Sequence, residues 1–201
     1  MDHRGDAVTE MGADEALFAR FSTRLAAAGG IAHRASTVEE AAKVIAERLT
    51  DPAGVIWTSA QVVDAQPDLV AALDRRGCAV RVAEDPASVR DQPLGLALAR
   101  MAIAETGSVL LHESAIPDRS VSLMTDVLVA VCPLEALRPS LDDAAPVLRE
   151  ISRAHGSYAT LVTGPSRTAD IERQLTVGVQ GPGEMHVVFM PAHSASQATD
   201  V

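Results

Sequence analysis

The chain alternates short apolar runs with longer stretches in which apolar residues recur at helical spacing. In residues 14–28, Leu17, Phe21 and Leu25 fall on one helical face, and Gly29 then predicts the end of the helix. Further helices are predicted over residues 38–49, 67–76, 95–104 (an alanine-rich stretch) and 142–154. Runs typical of buried strands cover residues 55–57, 78–82, 108–111, 126–131, 158–162 and 185–190, and residues 31–34 are a candidate edge strand.

This alternation predicts an α/β fold, in which helices cover both faces of a mostly parallel sheet. We expect a single domain over residues 14–190, since no internal repeat or linker divides it. Residues 1–13 are polar and residues 191–201 are small and polar, so both are expected to form flexible ends.

Charge and composition narrow the class of partner. Of 201 residues, 27 are Asp or Glu and 17 are Lys or Arg, which gives a formal net charge of −10, and aromatic residues make up 2%. A nucleic-acid interface needs a basic surface and often aromatic platforms, so none is expected. No secretory apolar region opens the chain, and the longest apolar run, residues 127–133, is much shorter than the roughly 20 residues of a membrane helix. We therefore expect a cytoplasmic protein without a membrane span.

The residues that bind metals in other proteins are scattered here. Cys78 and Cys132 are far apart and no Cys-x-x-Cys pair occurs, so no iron–sulfur cluster or structural zinc is expected on this chain. Two reduced thiols are favoured over a disulfide. His112 and Glu113 could form a ligand pair, but a structural or solvated role is favoured because no His-x-His or His-Glu-x-x-His motif occurs.

The most unusual stretch is residues 163–172, Thr-Gly-Pro-Ser-Arg-Thr-Ala-Asp-Ile-Glu. A strand, a Gly-Pro turn, Ser166 and Thr168 and then a short helix would present backbone N–H groups to an anion at the end of the sheet. Arg167 adds a guanidinium suited to carboxylate or phosphate. The alternative is a capped helix in which Arg167 pairs with an acidic residue of the same helix.

A second loop, residues 178–183 (Gly-Val-Gln-Gly-Pro-Gly), leads into the last strand. Its glycines and proline predict a fixed loop that approaches its neighbours closely. Gly181 and Gly183 are therefore expected to shape a ligand-binding loop, with a tight connection into the strand as the alternative.

Glu105 is the one catalytic candidate. It follows the predicted helix 95–104 and precedes Thr106-Gly107-Ser108. A partly buried carboxylate at this place needs partners or a raised pKa, and it could serve as a nucleophile or a base. A structural carboxylate that accepts hydrogen bonds from the 106–108 turn is favoured.

Residues 163–172, the loop 178–183 and residues 185–188 (Met-His-Val-Val) resemble the closing signature of the lactate utilization protein C family. Residues 102–108 (Ala-Ile-Ala-Glu-Thr-Gly-Ser) are similar to that family's internal motif, and the resemblance extends over about residues 14–190. It implies a LUD-type domain, with a Rossmann-like α/β fold like that of the sugar-phosphate isomerase and CoA-transferase superfamily.

The resemblance further implies a role in oxidising L-lactate to pyruvate together with two iron–sulfur partner proteins, which would hold the clusters and carry the electrons. Ser166, Arg167 and Thr168 would then hold a small carboxylate or other anion. The family often has His where this chain has Gln180, so Gln180 indicates binding rather than acid–base catalysis at this loop.

Three functions follow from these observations. The leading hypothesis is an accessory subunit that binds a small carboxylate or the iron–sulfur partners and does not catalyse alone. The second is an acyl-transfer or phosphosugar enzyme, because Glu-Thr-Gly at 105–107 resembles the Ser-Glu-Asn-Gly motif of CoA transferases and Glu105 would be its nucleophile. The third is a small-anion sensor that regulates a partner. A homo-oligomer is compatible with each.

Overall fold

A computed structural model describes residues 4–51, 54–153, 158–171, 174–177 and 181–192 of the chain. The helices in these ranges are α1 Arg4–Ala27, α2 Val38–Ala46, α3 Ala60–Ala65, α4 Pro67–Arg75, α5 Pro86–Val89, α6 Ile116–Met124 and α7 Ala144–Arg153, with 3-10 helices at Leu134–Ala136 and Leu141–Asp143. The strands are β1 Ile31–Arg34, β2 Val55–Thr58, β3 Ala79–Val82, β4 Leu94–Ile103, β5 Ser108–His112, β6 Val127–Pro133, β7 Leu137–Arg138, β8 Ala159–Val162, β9 Arg167–Ile171, β10 Gln174–Val177 and β11 Glu184–Met190.

The centre of the fold is a parallel sheet with the strand order β1-β11-β6-β4-β2-β3. Helices cover both of its faces. On one face, Ile45 of α2 and Leu69 of α4 pack on the sheet, and on the other face Phe21 and Leu25 of α1 do so. The predicted α/β class, with a mostly parallel sheet between helical layers, is confirmed.

Strand β4 belongs to two sheets at once. Its first half pairs in parallel with β2 and β6. Its second half pairs antiparallel with β5, with an irregularity in that ladder between Ala99 and Met101, and in parallel with β7. Strand β5 in turn pairs antiparallel with β8. The helix predicted over residues 95–104 is therefore wrong. Alanine favours helices intrinsically, but apart from the exposed Arg100 this run is apolar and lies mostly buried on both faces, which suits the central strand of a covered sheet.

Other elements also differ from the sequence prediction. Helix α1 begins at Arg4, well before the predicted start at residue 14. The helices α3, α5 and α6 lie in segments where the sequence pattern predicts neither a helix nor a strand. The helix expected after Ser166 is instead a hairpin of the antiparallel strands β9 and β10. The extents predicted for the flexible ends stay predictions, and residues 1–3 and 193–201 lie outside the described ranges.

Candidate functional site

A cleft of about 540 Å³ opens where strands β4, β6 and β11 begin. Because these strands are parallel, the residues that precede or start them meet at one edge of the sheet. The turn after α2 and the loop before β11 supply the remaining walls. The lining residues are Arg48, Thr50, Pro93, Asp126, Val127, Gly181, Gly183 and Glu184.

The loop 181–183 closes one side of the cleft and is fixed by backbone hydrogen bonds. The Ser166 N–H donates to the Pro182 carbonyl at 2.8 Å, and the Gly183 N–H donates to the Asp126 carbonyl at 2.9 Å. Gly181 has a φ of 135°, and a Cβ placed on it would lie 2.9 Å from the Ser166 Cβ. The structure thus brings Ser166, Gly181 and Gly183 together, in the close approach that the glycines predict.

Arg48 is the cation of the cleft. It lies in the turn after α2, and its side chain is 29% exposed. Nη2 is 3.8 Å from a carboxylate oxygen of Glu47. Nε is buried and has no hydrogen-bond partner within the described part of the chain. The exposed part of this guanidinium can donate hydrogen bonds to a carboxylate or phosphate that enters the cleft.

The charges of the cleft indicate what kind of ligand would fit. Two acidic residues, Asp126 and Glu184, line the cleft together with Arg48. A bare polyanion would meet repulsion from both. A small molecule with one carboxylate and one hydroxyl can pair its carboxylate with Arg48 and donate its hydroxyl hydrogen to an acidic side chain.

Two histidines lie behind Glu184 on the same face of the sheet. Strands β1 and β11 are neighbours, with Ile31 opposite His186. The His33 Nε2 and His186 Nδ1 atoms are 3.0 Å apart, and the rings stack at 5.3 Å. His186 Nε2 lies 3.5 Å from a carboxylate oxygen of Glu184.

Both imidazoles are held toward their neutral forms. Burial lowers the pKa of His33, and His186 and Arg48 lower it further, while Glu47 opposes them. Burial also lowers the pKa of His186, against a hydrogen bond with Glu184 that raises it. A neutral imidazole keeps one acceptor nitrogen, so the pair can take up a proton when its surroundings change.

The other predicted anion-binding residues do not line this cleft. Arg167 is exposed in β9, and its Nη2 lies 3.3 Å from the place a Cβ on Gly29 would occupy. Thr168 lies in the same strand, and only its backbone is described. Gln180 lies outside the described residues. The anion-binding argument depended on the N-terminus of a helix, and the structure has the antiparallel strands β9 and β10 at that place. The binding roles of these residues stay predictions.

Glu105 lies in the turn between β4 and β5 and is exposed, so the expected partial burial is wrong. Its carboxylate accepts a hydrogen bond from the Leu141 N–H at 2.9 Å. That bond lowers the pKa of Glu105, and a hydrogen bond with Ser140 lowers it further. The carboxylate thus caps the 3-10 helix at Leu141–Asp143. A capping contact is of the structural kind that the sequence favoured, although its partner lies outside the 106–108 turn, and the catalytic role of Glu105 stays a prediction.

Arg48, Asp126, Glu184 and the histidine pair escaped the sequence analysis. They come from four separate parts of the chain, and only the strand order brings them to one edge. A signal was present nonetheless, because Asp126 and Glu184 are charged residues directly at the starts of two apolar strands.

Within the described ranges, no three His, Cys, Asp or Glu side chains are grouped so that they could hold a metal ion. The proposed ligand pair is divided: His112 contacts Ser114, at 3.1 Å, whereas the Glu113 carboxylate accepts a hydrogen bond from Ser122. Cys78 and Cys132 are free and buried. No helix in the described part of the chain has the length and apolarity needed to cross a membrane.

Known proteins similar to this chain agree on one family. The lactate utilization protein C 1 of Bacillus mycoides is 34% identical over 102 residues, which cover 49% of this chain and 44% of that protein. The lactate utilization protein C of Bacillus subtilis is 37% identical over 93 residues, covering 44% of this chain and 38% of the relative. The match therefore spans less than half the length of these curated relatives.

A solved structure shares the fold. The crystal structure of a DUF162 family protein from Deinococcus radiodurans superposes with a TM-score of 0.65 and 21% identity, covering 88% of this chain and 98% of that one. The LUD domain profile matches residues 18–190. The resemblance drawn from residues 102–108 and 163–188 is thereby confirmed, and this chain belongs to the LUD domain family.

Proposed function

We propose that this chain acts in bacterial lactate utilization, as a cytoplasmic component that binds a small 2-hydroxy carboxylate in the cleft at Arg48. The relatives named lactate utilization protein C, at 34% and 37% identity, support the process. In this proposal the chain works beside two iron–sulfur partner proteins that carry the electrons. It does not turn over lactate alone.

The observation that carries the binding proposal is the combination of one guanidinium with two carboxylates in the cleft. The partly exposed guanidinium of Arg48 supports a charge-assisted contact with a carboxylate. Asp126 or Glu184 would accept the hydroxyl hydrogen of the same ligand. L-lactate has both groups, whereas pyruvate and acetate lack the hydroxyl. We therefore expect L-lactate to bind more tightly than either of them.

Nothing in the geometry favours the acyl-transfer alternative over this one. Glu105 is exposed and engaged with the Leu141 N–H, and it does not line the cleft. The anion-sensor alternative would use the same cleft, and it differs in predicting a regulatory rather than a metabolic defect when the cleft is altered.

A growth experiment tests the role in lactate utilization. The gene is deleted in its host, and growth on L-lactate is compared with growth on pyruvate. The deletion is complemented with wild type, with Arg48→Ala, with Arg167→Ala and with Arg75→Ala. Arg75 is an exposed arginine of α4 that pairs with Glu39, so it controls for the loss of a surface guanidinium.

We expect the deletion strain to grow on pyruvate but not on L-lactate. Growth on L-lactate should return with wild type and with Arg75→Ala but not with Arg48→Ala. Equal growth of the deletion strain on both carbon sources would contradict the role in lactate utilization. Full rescue by Arg48→Ala would show that the cleft is not the working site. Rescue by Arg167→Ala would show that Arg167, which the sequence predicted to bind the anion, is not needed for growth on L-lactate.

Calorimetry with the purified chain tests the ligand. L-lactate, pyruvate, acetate and inorganic phosphate are titrated into wild type, Arg48→Ala and Arg75→Ala. We expect saturable binding of L-lactate to wild type and Arg75→Ala, with a loss of at least about tenfold in Arg48→Ala, since one charge-assisted hydrogen bond contributes about 1.5–3 kcal/mol. Equal affinity of wild type and Arg48→Ala for lactate would refute the assignment.

A further inference from the structure

We propose that His33, His186 and Glu184 form an acid–base relay that ends at the cleft residue Glu184 and takes up one proton when a carboxylate binds beside Arg48. The inference rests on the carboxylate-binding function proposed above and couples that binding to the uptake of a proton. The ligand would then be recognised together with that proton, and the relay would be the place where the site gains or loses it.

The geometry makes the three side chains continuous. The two imidazoles approach at 3.0 Å between Nε2 of His33 and Nδ1 of His186, and Nε2 of His186 faces Glu184 at 3.5 Å. Only one hydrogen fits between the two ring nitrogens. If His186 donates from Nε2 to Glu184, its Nδ1 must accept from His33, so neutral rings form a directed chain that ends on a cleft residue.

The exposure of the three residues gives the relay two open ends. His186 is 1% exposed, so it exchanges protons with solvent only through its neighbours. His33 is half-buried on the edge strand β1, and the Glu184 side chain is 68% exposed. The relay therefore links the half-buried His33 at the sheet edge to Glu184, which lines the cleft and is open to solvent.

The charged groups that face the pair explain why a ligand would change its protonation. From the end of α2, Arg48 opposes protonation of both rings and Glu47 favours protonation of His33. From β11, Glu184 favours protonation of His186. Asp126, before β6, also lines the cleft, and its backbone carbonyl accepts from the Glu184 N–H at 3.3 Å. A carboxylate paired with Arg48 cancels the cation that opposes the proton, so the pKa of the histidine pair rises on binding.

Proton uptake is measured by calorimetry, with L-lactate titrated into the chain in two buffers of different ionisation enthalpy. The number of protons taken up follows from the difference in binding enthalpy. Because the pKa values of both histidines in the free chain lie below the ordinary 6.5 and rise on binding, uptake is expected mainly at and below that pH. In that range the affinity should rise by up to about tenfold for each unit that the pH falls.

The double variant His33→Gln/His186→Gln removes both titrating rings, and His112→Gln is the matched control, since His112 contacts only Ser114 among the described hydrogen bonds. We expect proton uptake to vanish in the double variant and to persist in the control. Nitrogen NMR of the wild-type imidazoles, with and without saturating L-lactate, reads the same event directly. Their pKa values should rise with the ligand, whether or not the double variant folds.

The outcomes separate the two proposals. Binding of L-lactate without proton uptake, or with uptake unchanged in the folded double variant, would overturn the relay and leave carboxylate binding in place. Histidine pKa values that do not move with saturating ligand would also overturn it. Absence of any lactate binding by the wild type between about pH 5 and about pH 7 would overturn both.

Discussion

The buried carboxyl of Glu113 makes the stability of this protein depend on pH in a way that can be isolated. Glu113 follows β5 and is 7% exposed, and its carboxylate accepts a hydrogen bond from the Ser122 hydroxyl at 2.8 Å. Burial raises its pKa from 4.5 to about 7, and the nearby Asp118 adds to the rise, while Ser122 opposes it. Between about pH 4.5 and about pH 7, the Glu113 carboxyl therefore keeps its proton in the folded state and loses it in the unfolded chain.

The sign and size of the effect follow from this difference. A carboxyl whose folded pKa exceeds its unfolded value stabilises the fold fully below about pH 4.5, and that contribution is lost as the pH rises to about 7. The difference between 4.5 and about 7 corresponds to about 3 kcal/mol of unfolding free energy, at roughly 1.4 kcal/mol per unit. Other groups titrate in the same range, so the wild-type curve alone is not diagnostic.

The variant Glu113→Gln isolates the contribution of Glu113 to the pH dependence of the unfolding free energy. Glutamine has nearly the shape of the protonated carboxyl, and its oxygen can still accept a hydrogen bond from Ser122. Urea unfolding is measured for both proteins from about pH 4.5 to about pH 7.5. We expect wild type to lose about 3 kcal/mol relative to the variant across this range. Glu84→Gln, the same change at an exposed position, should show no such divergence. Parallel stability curves for wild type and Glu113→Gln would refute the reasoning.

Three further perturbations test the packing. A Cβ on Gly95 would lie 2.4 Å from the Val121 carbonyl, so Gly95→Ala should lower the unfolding free energy by about 1–3 kcal/mol in urea titrations. Phe189 packs edge-to-face on two phenylalanines of α1, at 5.0 and 5.6 Å, and Phe189→Ala should cost about 3–5 kcal/mol in the same assay. Cys78 and Cys132 are buried, and burial raises the pKa of each thiol. A disulfide reagent should therefore label them only when denaturant unfolds the chain. Rapid labelling of the native protein would contradict their burial.

The sequence predicted most of the layered fold because its signals are local. Alternating apolar strands and amphipathic helices such as α2 and α4 need only their own periodicity to be recognised. Strand β4 needed more. Its alanine-rich run is compatible with either state when taken alone, and what makes it a strand is its place between β2 and β6, which depends on residues far away in the chain.

The candidate site was predicted in part for the same reason. Gly181 and Gly183 mark a close approach by their own chemistry, and the structure places them on the cleft. Arg48 carries no such mark, since an arginine after a helix is usually a solvated surface residue. Arg48 is recognised as a candidate site residue only in the folded structure, where the parallel strands bring Asp126 and Glu184 to the same edge.

The shared strand β4 also determines how the molecule can come apart. One continuous backbone supplies hydrogen bonds to the parallel sheet through Leu94–Leu98 and to the antiparallel strands through Ala99–Ile103. Neither sheet can open without disturbing a strand that the other requires, so partial opening of one half is disfavoured. The amide hydrogens of β4 should therefore exchange with solvent deuterium only through global unfolding, and the two sheets should melt as one cooperative unit.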